Sequence, residues 1–165
     1  MSVPALPPAQ QQEDTAADLR ELLVSTVSLM EPLAAEKEIR LITDPLPEAA
    51  AANLDPDAIR QALVNLLDNA IKFSPPGSEV KIRLLESDGW QIEIADQGPG
   101  IPKEEHARIF EKFHRLGGEL RRESQGTGIG LSLVKAVAEA HGGRIDLLSE
   151  PGAGSRFILI LPKKS

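Results

Sequence analysis

The stretch EVKIRLLESDGWQIEIADQGPG, residues 79–100, decides the fold. Both halves alternate apolar and polar residues with the period of a half-buried strand, and the turn-forming pair Asp88-Gly89 joins them, so the segment reads as an antiparallel hairpin. The second strand runs out at Asp96 into a turn containing Gly98 and Gly100, and a second cluster, Gly126, Gly128 and Gly130, follows in QGTGIGLSLVKAV. Two glycine clusters this close together raise the question of which glycine-built phosphate site, if any, the chain contains.

Downstream of the hairpin, PKEEHARIFEKF reads as a short helix opened by proline and acidic residues, and LGGELRRESQ loses periodicity and reads as a mobile loop. GLSLVKAVAEAHGG is an amphipathic helix ended by glycine, and RIDLLSE with SRFILILP forms a second hairpin about PGAG. Upstream, DPDAIRQALVNLLDNAIKFS has an aspartate cap, a first-turn proline and a helical apolar stripe, and it stops at Pro75, Pro76 and Gly77. Before it, EIRLIT reads as a short strand, and Leu19, Leu22, Leu23, Val27, Met30 and Leu33 recur at helical spacing until Pro32 should kink or end the helix. Residues 1–14, rich in Pro and Gln, read as a disordered arm or linker. The sum is α+β: an antiparallel sheet with helices on one face.

The 165 residues suit one core-forming domain. A net charge of -7 argues against a nucleic-acid binder, which needs a basic stripe to track phosphates. The absence of cysteine excludes disulfides, thiolate metal sites and a cysteine nucleophile, and permits a reducing compartment. The longest apolar runs, such as FILIL at 157–161, are too short to span a bilayer, and the N-terminus lacks the pattern of a signal peptide. A cytoplasmic location is expected, with any membrane anchor outside this sequence.

On the helix that starts at Pro56, Gln61, Asp68, Asn69 and Lys72 lie within about 60° of Asn65, opposite Ile59, Leu63, Leu66, Leu67 and Ala70. A solvated face would carry Lys or Glu. Asparagine is a poor helix former that adds no charge, but its amide oxygen can ligate a magnesium already surrounded by triphosphate oxygens and water. Asp96, at a strand end, can accept from an exocyclic amine, and Gly98 and Gly100 would let the backbone approach a base; a plain turn is the alternative. Gly126, Gly128 and Gly130 precede a helix whose free N–H groups can hold phosphate. A Walker loop fails because Leu131 and Ser132 follow the last glycine, and a dinucleotide fold fails because RRESQ, not a strand, precedes the cluster.

With these signals in order, the chain resembles the ATP-binding catalytic domain of bacterial sensor histidine kinases, in the superfamily shared with gyrase, heat-shock chaperone ATPases and mismatch-repair ATPases. NLLDNAIKFSP is similar to its asparagine box, DQGPGIP to its first glycine box, RIFEKFHR to its phenylalanine box and GTGIGLSLVKAVAEAHGGRI to its second glycine box, over roughly residues 35–162. The resemblance implies a two-layer sandwich of the Bergerat type, a mixed, mostly antiparallel sheet on one layer of helices. Residues 38–165 would be the ATP-binding domain, and residues 15–37 would resemble the end of the dimerisation region.

It further implies ATP and Mg²⁺ as ligands. Asn69 would hold the metal. Asp96, Gly98 and Gly100 would receive adenine with Phe73 beside the ring, and Ser155 would support it through water. Lys72 and Arg115 would meet phosphates, Gly126, Thr127, Gly128, Gly130 and Leu131 would cradle the triphosphate, and residues 116–125 would form the lid.

Asn65 separates branches of the superfamily. Members that hydrolyse ATP with water typically carry glutamate there as general base; an amide cannot take that proton, whereas an attacking imidazole already has a free lone pair. Kinase is therefore favoured over hydrolase. His106, His114 and His141 all lie after the asparagine box, so the expected acceptor is a histidine on a separate dimerisation domain, from which phosphate passes to a response regulator. The chain alone is expected to be monomeric, without contact to nucleic acid or membrane. The competing readings are a non-catalytic ATP/ADP-binding regulatory module and a stand-alone ATPase or serine kinase.

Overall fold

The computed structural model describes residues 14–111 and 130–163. In chain order the elements are β1 (Thr15–Asp18), α1 (Leu19–Glu36), β2 (Arg40–Thr43), β3 (Ala51–Leu54), α2 (Pro56–Phe73), β4 (Glu79–Glu86) and β5 (Gly89–Asp96), then two 3-10 turns (Lys103–Glu105 and Arg108–Phe110), α3 (Gly130–Ala140), β6 (Arg144–Ser149) and β7 (Ser155–Pro162). Of the expected arm at residues 1–14, residues 1–13 lie outside the described residues, as does the expected loop at 116–125.

The main sheet has five strands in the order β2-β4-β5-β7-β6, with β2 parallel to β4 and the other pairs antiparallel. Both expected hairpins are present: Ile82 faces Ile94 in one, and Ser149 faces Ser155 in the other. Alternation sends Val80, Ile82, Leu84, Ile92, Ile94, Phe157, Leu159 and Leu161 into a single core shared with the helices. On the opposite face, Glu93 is buried between two arginines from the flanking strands, Arg83 at 2.8 Å and Arg156 at 3.0 Å. Helices on one face of a mixed, mostly antiparallel sheet are the two-layer α+β arrangement expected.

α2 is the central helix. Asp55 caps it by accepting from the N–H groups of Asp57 and Ala58, and Pro56 fills the first turn, where no N–H is missed. His141, at the end of α3, accepts the Asp55 N–H at its Nε2 and donates Nδ1–H to the Val137 carbonyl, tying the start of α2 to α3. At the other end, the Lys37 ammonium donates to the carbonyls of Ile71 and Lys72 at 3.0 and 2.8 Å, groups that a helix C-terminus leaves without partners. Residues 15–37 share this core through Leu19, Leu22, Leu23, Val27, Met30 and Ala34.

Three local expectations need correction. α1 passes through Pro32 to Glu36, because Pro32 is on the exposed side and Ser28, whose carbonyl loses its donor, is also exposed to water. Residues 102–113 do not make one helix in their described part; two 3-10 turns carry Ile101 and Ile109 into the core instead. β1 and β3 pair in a separate two-stranded sheet that sequence patterning missed, since TAAD and AANL contain few strand-favouring residues.

Candidate functional site

The polar face of α2 is the floor of the site. Asn65, Asp68, Asn69 and Lys72 are all half-buried along it. Lys72 pairs with Asp68 at 3.2 Å, the i,i+4 geometry of a helix surface. Among the described residues, neither the Asn65 nor the Asn69 carboxamide has a hydrogen-bond partner, so both amide oxygens are available to a ligand.

The first glycine turn and Gly130, the described member of the second cluster, meet this helix. A Cβ on Gly130, the first residue of α3, would lie 3.7 Å from the Asn65 amide oxygen, which brings the start of α3 beside the asparagine face. Gly98 packs so closely on the Phe73 carbonyl at the end of α2 that a Cβ there would collide with it. Gly100 has φ +83° and sits against the Glu150 carbonyl, where any side chain would also collide. The turn after β5 is therefore held between the end of α2 and the β6–β7 hairpin, and the Gly152 N–H closes it by donating to the Pro99 carbonyl at 2.6 Å.

Asp96 is the buried acid of the site, 9% exposed. Its Oδ1 accepts the N–H of Gly98 at 2.9 Å and of Ser155 at 3.2 Å. Nothing among the described residues donates to Oδ2. Burial pushes the carboxyl above its ordinary value, and the two backbone bonds partly offset that rise. Asp96, Ser149 and Ser155 border a cavity of 280 Å³ that is also lined by Ala95, Leu148 and Arg156, residues of the sheet face away from the helices.

Phe73 is half-buried at the last turn of α2, and Leu131 packs its side chain against the core. Arg115, Gly126, Thr127 and Gly128 lie outside the described residues. Sequence reading passed over Ser149. Its Oγ accepts the Ile101 N–H at 2.8 Å, donates to the Gly154 carbonyl at 2.8 Å and lies 3.0 Å from the Ser155 Oγ. The signal was the placement of Ser149 and Ser155 on either side of EPGAG, which a hairpin of that length sets face to face.

The arrangement fits a magnesium nucleotide. The unpartnered Asp96 oxygen suits an amine donor, the Asn69 amide suits a metal, and glycines stand where side chains would collide. No group of three or more His, Asp or Glu among the described residues is placed to hold a metal by itself. A metal that draws its other ligands from triphosphate and water is consistent with that. No helix among the described residues is long and apolar enough to cross a membrane.

Residues 54–165 match the family described as histidine kinase-, DNA gyrase B-, and HSP90-like ATPase. The chain is 44% identical over 128 residues to the adaptive-response sensory kinase SasA of Synechococcus elongatus, covering 76% of this chain and 33% of that protein. It is 37% identical over 150 residues to the circadian input-output histidine kinase CikA of the same organism, covering 89% of this chain and 20% of that protein. Full-length ShkA, solved in complex with AMPPNP, superposes with a TM-score of 0.76 at 32% identity, over 90% of this chain and 31% of that one. The chain thus spans a third or less of the length of these relatives. With the first glycine turn and the start of α3 both resting on one asparagine-bearing helix, the chain belongs to the histidine kinase-, DNA gyrase B- and HSP90-like ATPase family, as a catalytic ATP-binding domain of the histidine kinase kind.

Proposed function

We propose that this domain binds Mg²⁺·ATP and presents the γ-phosphate to a histidine on a separate dimerisation domain, from which phosphate passes to an aspartate of a response regulator. One observation carries the reading: α2 touches the first glycine turn through Phe73 and the start of α3 through Asn65, with Asn69 between those two contacts. A base held at Asp96 and phosphates held at the start of α3 would place the metal over Asn69. The similarity to ShkA, which was solved with an ATP analogue, supports the choice of nucleotide.

In this reading Asp96 accepts the exocyclic amine, Phe73 lies beside the base, and Gly98 and Gly100 admit it. Asn69 is the protein ligand of the metal, and Gly126, Thr127, Gly128, Gly130 and Leu131 surround the triphosphate. Lys72 and Arg115 neutralise phosphate charge; Lys72 keeps a donor for Asp68 while doing so, since an ammonium has three. The bound nucleotide supplies the transferred phosphoryl group, and the protein contributes positioning and charge neutralisation. Asn65, as an amide, does not activate water. His141 is not the acceptor because both of its ring nitrogens are engaged, and His106 donates Nε2–H to the Ile101 carbonyl.

The partners are therefore a histidine-bearing domain and a response regulator, with no nucleic acid or membrane bound by this chain. The domain is monomeric by itself and works in the cytoplasm. Incubation with γ-labelled ATP and the dimerisation domain of a related kinase should place acid-labile label on that domain. Nucleotide binding without label transfer would instead show a regulatory module. Phosphate release by the chain alone, lost on changing Asn65, would show a hydrolase.

A further inference from the structure

α2 ends without a backbone cap. Ser74 precedes Pro75 and is extended, at φ -85° and ψ 142°, so the left-handed residue that commonly folds back over the last carbonyls has no place there. The half-buried Lys37 takes over that task from the end of α1. An ammonium has three protons, and those of Lys37 face the carbonyls of Ile71 at 3.0 Å, Lys72 at 2.8 Å and Ser74 at 3.5 Å. Beside it, the Glu38 carbonyl accepts the Gly77 N–H at 2.8 Å, so residues 37 and 38 hold both sides of the two prolines. The carbonyl between those that Lys37 grips, that of Phe73, abuts Gly98, where a Cβ would come within 2.4 Å of it. Gly98 in turn donates its N–H to Asp96 Oδ1 at 2.9 Å.

We propose that Lys37 is a positioning residue for the base end of the nucleotide site: by gripping the carbonyls on either side of Phe73, it fixes where Phe73 and Gly98 stand and, through Gly98, where Asp96 stands. Without those bonds the last turn of α2 opens toward water, because its carbonyls have no partner within the helix. Phe73 and the turn that rests on it then leave the place a base requires. Asn69 lies a full turn earlier, so the metal end of the site keeps its geometry. The inference rests on the reading that Asp96 and Phe73 receive adenine.

Calorimetry with ATP and ADP, each with and without magnesium, tests it on the wild type, Lys37→Met and Lys37→Arg. Lys37→Met should weaken both nucleotides about tenfold, the worth of one hydrogen bond, and keep the wild-type gain from magnesium. Lys37→Arg, which keeps the cation and its donors, should recover most of that loss. In phosphoryl transfer to a supplied dimerisation domain, Lys37→Met should raise KM for ATP with kcat unchanged. A Lys37→Met protein that only melts lower and binds both nucleotides as the wild type does overturns the inference, and so does a loss confined to the magnesium gain. Should Lys37→Met not fold, Lys37→Gln, with a shorter amide donor, decides by the same affinities. A wild type that binds neither nucleotide refutes the adenine reading itself; faster exchange of the Gly98 N–H in nucleotide-free Lys37→Met then still shows the coupling, and unchanged exchange contradicts it.

Discussion

Asp96 links stability to binding. Its folded carboxyl titrates above the unfolded value because burial disfavours the charge. In the window from 3.8 upward to the raised value the folded state holds more protons than the unfolded one, so this group's contribution falls as pH rises and is unfavourable at neutrality. Asp96→Asn keeps Oδ1, the oxygen that receives both backbone bonds, and replaces the free Oδ2 by a donor. The variant should therefore melt above the wild type at pH 7, with the gap narrowing as the pH falls from the raised value toward 3.8 and changing no further below it. Its ATP affinity should drop roughly 10- to 100-fold, the cost of losing one hydrogen bond to a charged group, as titration calorimetry will measure. Glu38 gives a second test. It has φ +62° and sits where a glycine commonly ends a helix, with the Ile39 N–H reaching back to the Ala34 carbonyl. Glu38→Gly should stabilise the fold by about 1 kcal/mol in urea unfolding. The place of Asp96 at a strand end was legible because the alternating run before it stops there, at a glycine turn. The end of α1 was hidden because a glutamate occupies the position where a glycine would have announced it.

At the scale of elements, α2 carries most of the site, and its far end is held by a residue outside it. The Lys37 ammonium donates to the carbonyls of Ile71 and Lys72, two and one residues before the Phe73 carbonyl on which Gly98 rests. Lys37→Met should cost about 1 kcal/mol, from the lost bonds and the favourable placement of a cation at a helix C-terminus. Hydrogen exchange should show the loss as faster exchange in the last turn of α2, with the Asp55-capped start unaffected. α2 itself was plain in the sequence, since cap, proline, stripe and stop signals agree over a long window. Lys37 was not, because a lysine on a preceding turn shows nothing of the carbonyls it will meet. The same limit hid β1 and β3: alanine-rich strands of four residues are specified by what they pair with, including the Trp90 indole that donates to the Ala51 carbonyl at 3.3 Å.

For the whole molecule, the sheet separates two tasks. One face is apolar and buries the helices; the other is polar, with Glu93 between Arg83 and Arg156. Period-2 alternation showed this division in advance, and the two hairpins followed from their turns. The parallel β2–β4 pair was not readable from the residues, as it depends on a crossover through α2 that local patterning does not encode. What periodicity could not supply was the convergence of distant turns on one helix, and that convergence is the central claim. The most direct test is titration calorimetry of ATP, with and without magnesium, into the wild type and Asn69→Ala. The wild type should bind ATP more tightly with magnesium, and Asn69→Ala should lose that gain while keeping its magnesium-free affinity. Equal magnesium dependence in the two proteins, or no ATP binding by the wild type, would contradict the account.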